Sequence, residues 1–244
     1  MPIKPTHILI NLAAIATLSA CVTVTDGPPK VEAKPKEMAE SRIALGLGYL
    51  EKGNMVRARE NLELAIQHAP NYYRAQISMA HYYEQVGESE EARKTYQKAL
   101  RQDPRNGNVL NNYGTFLCKQ GEYKKADQYF NKAIEQPYYY LVSASYENAA
   151  LCALKAGDDD KAQYYFTRAL DHDPIRARSI LQLSQLEVQK EQFTNARIRL
   201  MKFHQMYGYQ IPSLKILIEL ESKAGNSALE EKYQSKLDGL LGKV

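Results

Sequence analysis

The chain has 244 residues, enough for one extended domain with a continuous core. Charged residues make up 25%, and 32 Lys and Arg against 28 Asp and Glu leave a formal charge of +4. The two signs alternate along the chain, which excludes a basic block for nucleic acid, and beyond the N-terminal segment no run of about 18 apolar residues could span a membrane.

The first element is a short apolar segment. Lys4 supplies positive charge and Ile8 to Leu18 an apolar stretch too short for a permanent span but suited to a secretory signal. It ends in Leu18-Ser19-Ala20-Cys21, which resembles the bacterial lipobox. That resemblance implies that residues 1–20 are a lipoprotein signal peptide and that Cys21 is lipidated to become the first residue of the mature chain. Val22 stands where an Asp favours retention in the inner membrane, so in a Gram-negative cell the resemblance implies the outer membrane, with the body facing the periplasm. Residues 21–37 then read as the lipidated cysteine and a flexible tether. Pro28, Pro29 and Pro35 among scattered lysines leave it too little hydrophobicity to fold. In extended polyproline-like form, at ~3.1 Å per residue, about 15 residues would reach roughly 45 Å.

From residue 38 the chain repeats. One alanine per unit aligns as Ala58, Ala92, Ala126, Ala162 and Ala196, at spacings of 34, 34, 36 and 34. Gly53, Gly87, Gly121 and Gly157 lie five residues before the first four, and Leu62, Tyr96, Phe130, Phe166 and Leu200 lie four residues after the alanines. Pro70, Pro104 and Pro174 close three units, and Pro137 closes another one residue early. This pattern resembles the tetratricopeptide repeat, a helix-turn-helix unit of about 34 residues. Each spacing has a physical reason. A small residue on helix A (Gly46, Ala80, Gly114, Ala150) lets helix B approach closely, the glycine ends helix A with positive φ, and the proline stops the pair. The expectation is an all-α solenoid of about six repeats forming a right-handed superhelix over residues 38–244. The repeats are placed at about 39–72, 73–106, 107–142, 143–176, 177–210 and 211–244. Two extra residues fall near Tyr138-Tyr139-Tyr140, where the stack is expected to bend. The last unit carries Gly225 at the turn but Glu230 in place of the alanine, as a terminal cap would.

Catalytic chemistry is missing from the pattern. There is no phosphate loop, nucleophile elbow or HExxH. Gly46-Leu47-Gly48 falls inside a helix and reads as close packing. His68, His81, His172 and His204 lack ligand spacing, and Asp158-Asp159-Asp160 reads as a capped helix N-terminus rather than a metal site. The chain is expected to be no enzyme and to need no cofactor or metal.

Cys118 and Cys152 are 34 residues apart, one repeat length, late in the A helices of neighbouring repeats. Their register differs by two residues, about 3 Å along a helix, and adjacent helices pack ~8–10 Å apart, so they read either as a disulfide or as two buried thiols. Helix A lines the partner groove in repeats of this kind. By register the groove positions are Ile43, Leu47 and Leu50 in repeat one, Ile77, His81 and Glu84 in repeat two, and Asn111, Thr115 and Cys118 in repeat three. The first trio forms an apolar groove for a docked helix or strand, or for the chain's own N-terminal linker.

A lipobox, a short tether and six repeats, together with the run Asn111-Asn112-Tyr113-Gly114-Thr115-Phe116-Leu117-Cys118, resemble the type IV pilus biogenesis/stability lipoproteins, the PilF/PilW pilotin family. The cysteine pair one repeat apart fits the same family. The resemblance implies a non-enzymatic protein. It would bind the secretin subunit of the pilus channel through the repeat-one groove and would be held to outer-membrane lipid by acyl chains on Cys21. In that role it would promote outer-membrane localisation and multimerisation of the secretin. A lipoprotein scaffold for barrel assembly or for cell-wall hydrolases would share the anchor and the fold.

Overall fold

The structure is a computed structural model that describes residues 34–242; Cys21, the signal segment and most of the tether lie outside the described residues. The described residues form helices α1 (Pro35–Glu51), α2 (Met55–His68), α3 (Tyr73–Gln85), α4 (Ser89–Gln102), α5 (Gly107–Lys119), α6 (Tyr123–Ile134), α7 (Val142–Lys155), α8 (Asp159–His172), α9 (Ala177–Gln189), α10 (Phe193–Tyr207), α11 (Ile211–Lys223) and α12 (Ser227–Leu240). They are an all-α tetratricopeptide-repeat solenoid. Odd-numbered helices are A helices and even-numbered ones B helices. α1 begins at Pro35, inside the segment expected to be tether up to residue 37. Proline suits a first helical position, where its missing N–H would have no partner and its φ is already helical.

In the first five repeats each A helix packs on its own B helix through the small residues. A Cβ on Gly46 would lie 2.7 Å from Leu62 Cγ, and one on Gly114 2.9 Å from Phe130 Cε1. Ala58, Ala92, Ala126, Ala162 and Ala196 are fully buried on the B side of these crossings. In repeat five Ser184 takes the small position, also fully buried, and donates its hydroxyl to the Ile180 carbonyl. Successive A helices then contact one another, as α1 with α3, α3 with α5, α5 with α7 and α9 with α11. The last B helix, α12, buries only Leu237, as expected of a helix with water on its outer side.

The turns between A and B helices repeat one conformation. Gly53, Gly87, Gly121, Gly157 and Gly225 have φ between 71° and 80°. The fifth turn places Glu191 at the same position with φ 58°. An L-residue there pays a left-handed cost of about 1–2 kcal/mol that glycine avoids.

Three buried glutamates tie the C-terminal half together. Glu147 accepts from Ser179 Oγ at 2.6 Å and from Arg176 Nη1 at 3.4 Å. Glu187 meets Arg199 through two bonds of 3.1 and 2.8 Å, and Glu221 meets Arg197 through two of 2.8 Å while accepting from Asn226 Nδ2. The Glu221 carboxylate has no exposed surface. Its hydrogen bonds from Arg197 hold its pKa below the ordinary glutamate range against the opposing effect of burial.

Two outcomes follow from these features. Glu191→Gly should stabilise the chain by about 1 kcal/mol, read as a rise in Tm of a few degrees; an unchanged or lower Tm would contradict the strain. Because the folded pKa of Glu221 is depressed, its contribution is present above the unfolded carboxyl value of about 4.3 and is lost as pH falls from there toward the folded value. Glu221→Gln should cost about 3 kcal/mol at pH 7 and flatten the acid side of the stability profile, as measured by urea unfolding across pH.

Candidate partner-binding surface

The A helices present side chains from successive repeats next to one another, so the surface is built across repeats. In repeat one the structure corrects the expected groove. Ile43 is 2% exposed and Leu50 8%. Ile43 packs with Ala39, Ala65 and Ala75, and Leu50 with Leu62, Met79 and Tyr82. Both are enclosed because α2 and α3 lie against α1 on the sides they face, so these two side chains join the repeats and are not themselves open to a partner. Leu47 is half-buried and touches both clusters. The large apolar side chains that α1 leaves exposed are Met38 and Leu45, seven residues apart, and α2 adds Val56.

In repeat two, the Glu84 carboxylate accepts from Tyr96 Oη at 2.7 Å and pairs with Lys119 at 2.8 Å, so it is a tie between helices. Beside it His81 is half-buried, and burial lowers its pKa.

Repeats three and four bring a polar network to the A side. Asn111 Oδ1 accepts from Ser145 Oγ at 3.0 Å and from Asn148 Nδ2 at 3.1 Å. Ser145 also meets Tyr139 Oη at 3.0 Å. One turn before Asn111, Asn108 donates from Nδ2 to Tyr73 Oη at 3.3 Å. Asn106 caps α5 by accepting from the Asn108 and Val109 amides, which fixes the start of the helix carrying both asparagines. Asp158 caps α8 in the same way, accepting from the Lys161 amide at 3.0 Å.

Cys118 and Cys152 meet between α5 and α7. Their Cα atoms are 5.8 Å apart and the sulfurs form a disulfide. Cys118 therefore belongs to this staple and not to an open groove. A cleft of about 560 Å³ lies beside Cys152, with Asp127, Ala149 and Lys161 among its walls.

One surface was not read from the sequence. A cleft of about 600 Å³ lies between α8 and α10, with Leu170, Ile198, Lys202 and Met206 in its lining. Ile198 and Met201 are about half exposed. Aligned on the helix B alanine, Ile198 stands where the other repeats carry Glu60, Lys94, Gln128 and Tyr164, and Met201 where they carry Glu63, Gln97, Asn131 and Thr167. The repeat alignment itself contains that signal. Among the described residues no helix is long and apolar enough to cross a membrane.

Comparison with known proteins agrees with this architecture. A family model described as Tetratricopeptide repeat matches residues 106–175, and one described as YpiA-like, C-terminal tetratricopeptide repeats matches residues 74–137. The type IV pilus assembly protein PilF of Pseudomonas aeruginosa is 32% identical over 213 residues, covering 87% of this chain and 84% of that one. An uncharacterized protein of Haemophilus influenzae is 39% identical over 139 residues, covering 57% of this chain and 78% of that one. Among solved structures, Pseudomonas aeruginosa PilF superposes with a TM-score of 0.71 at 30% identity, over 86% of this chain and 95% of that one. The type IV pilus biogenesis factor PilW superposes with a TM-score of 0.72 at 22% identity, over 84% of this chain and 94% of that one, a likeness of fold.

The disulfide closes a loop with a sequence separation of 34 residues. A loop of that size should contribute about 3–4 kcal/mol in the chain-entropy description. Replacing both cysteines by serine should lower urea-unfolding stability by roughly that amount with little change in helical circular dichroism; equal stability would show that the bridge constrains nothing.

Proposed function

The chain belongs to the family of tetratricopeptide-repeat type IV pilus biogenesis proteins that includes PilF, and from that membership we propose that it is a pilotin. In this reading it performs no catalysis. It binds the secretin subunit that forms the pilus channel, delivers it to the outer membrane and promotes its assembly into a multimer. The observation that carries the reading is that the likeness to PilF, 32% identity, extends over 87% of this chain and 84% of that one.

The physical logic is tethering. Cys21 is the proposed lipidation site, and each methylene of its acyl chains that enters the bilayer contributes ~0.8 kcal/mol, so several chains give stable anchoring. The proline-bearing tether would let the repeat domain reach cargo at a distance from the lipid. Holding cargo on an anchored protein raises its local concentration at the membrane, which favours ring assembly without any new contact between subunits. An exported chain meets oxidising conditions, so the Cys118–Cys152 bridge is proposed to form there and to fix repeats three and four against each other.

The test is co-purification from outer-membrane extracts of cells carrying the tagged wild type or Cys21→Ala. The pilotin reading expects a secretin subunit with the wild type, and mislocalised or missing secretin multimers with Cys21→Ala. Recovery of barrel-assembly or wall-hydrolase components with intact secretin multimers would assign the chain to that general scaffold role.

A further inference from the structure

The loop between repeats three and four is held in an unfavourable conformation that exposes aromatic surface. Tyr138 has φ 63°, in the left-handed region that side chains with a Cβ avoid. It is fully exposed, and Tyr140 is 81% exposed. Between them Tyr139 points inward. Its ring lies so close to Gly107 that a Cβ there would be 2.5 Å from Tyr139 Cδ2. Its hydroxyl meets Ser145, which bonds Asn111. A half-buried, hydrogen-bonded central tyrosine thus holds the loop while its two neighbours stand in the open. Strain of this kind persists only where the surroundings over-determine it, and rigid exposed tyrosines supply contact area at low entropic cost.

The network that anchors the loop also carries unused hydrogen-bonding groups. Asn111 Oδ1 already accepts two bonds, from Ser145 and Asn148, and its Nδ2 donates to no partner among the described residues. Asn108 and Asn148 use their Nδ2 groups, on Tyr73 and Asn111, which leaves Oδ1 of each without a partner among the described residues. Asn108 and Asn111 lie one turn apart on α5, and Asn148 is bonded to Asn111 from α7. In that order the row offers acceptor, donor, acceptor. A peptide backbone offers the complementary series, and a carboxamide matches a peptide group in both donor and acceptor. The Tyr139 ring sits on Gly107, the neighbour of Asn108 in the chain, and its hydroxyl reaches Asn111 through Ser145, which places the loop beside the row.

We propose that Tyr138, Tyr140, Asn108, Asn111 and Asn148 form a docking site for an extended, uncharged peptide segment of the partner. The carboxamides bind its main chain and the two tyrosines close on an apolar side chain. None of the five residues is charged, so the site gains nothing from an acidic or basic motif and loses by having to desolvate one. This inference rests on the pilotin reading for the identity of the partner, which makes the occupant a segment of the secretin subunit.

The probe is a set of short synthetic peptides tiling the periplasmic part of the secretin, titrated into full-length protein and followed by the side-chain amide resonances of Asn108, Asn111 and Asn148. Capture of the intact secretin is measured in parallel. The expected result is that one uncharged peptide binds and shifts those resonances. The double variant Tyr138→Ala with Tyr140→Ala should weaken it about tenfold or more while leaving Tm unchanged, since both side chains are exposed. Asn111→Ala, which also loses internal bonds, is the second variant and should weaken the same peptide. Binding of a peptide that is unaffected by the tyrosine variant, binding confined to charged peptides, or no peptide binding at all overturns the site. Capture of intact secretin in any of those cases leaves the pilotin reading standing, whereas loss of both removes the two together.

Discussion

Each of the first five repeats rests on one close crossing of two helices. The crossing is possible because a glycine, alanine or serine on the A helix faces a buried alanine on the B helix, and because the bulky residue one turn further on fills the space beside it. Phe130 against Gly114 and Leu62 against Gly46 leave no room for even a methyl group. With that distance set, the A helix keeps a second apolar side uncovered, and only the next repeat can cover it. Stacking is therefore a consequence of the crossing. Ile43 and Leu50 illustrate it, since α2 covers them in part and residues of α3 (Ala75 for Ile43, Met79 and Tyr82 for Leu50) complete the burial.

The period of the chain made the crossings legible. Alanines and glycines recur at fixed spacing because each is required by a contact within one repeat, and such local requirements leave a mark in the sequence. Contacts between repeats leave a weaker one. Nothing in the spacing of Ile43, Leu47 and Leu50 tells a groove from a seam, because the difference is the distance to the next A helix. The seat of Tyr139 on Gly107 was hidden for the same reason, as the two residues belong to different ends of one repeat and meet only when the loop folds back. Glu191 shows the converse. The glycine pattern lapses there, yet the backbone keeps its positive φ, because the packing of α9 and α10 outweighs a left-handed cost of about 1–2 kcal/mol.

The two halves of the solenoid are joined differently. The first repeats are sealed by apolar side chains, and the disulfide joins the A helices of the third and fourth. The later repeats add Arg–Glu pairs whose carboxylates are almost completely buried. Such pairs are costly to break, because one partner alone would be left charged in a region without water, and they hold neighbouring helices in one register. They were not evident in the sequence because Arg and Glu are also the ordinary residues of a solvated helix face. The consequence is that α9, α10 and α11 are tied to one another by paired charges as well as by apolar contacts.

The functional account depends on this scaffold acting as the link between a membrane anchor and a secretin subunit. The most direct measurement is the amount of secretin multimer in purified outer membranes of cells that contain or lack this protein, at equal total secretin. The account predicts that without the protein the multimer is lost from the outer membrane and the subunit accumulates elsewhere. An unchanged quantity of multimer in the outer membrane would contradict it.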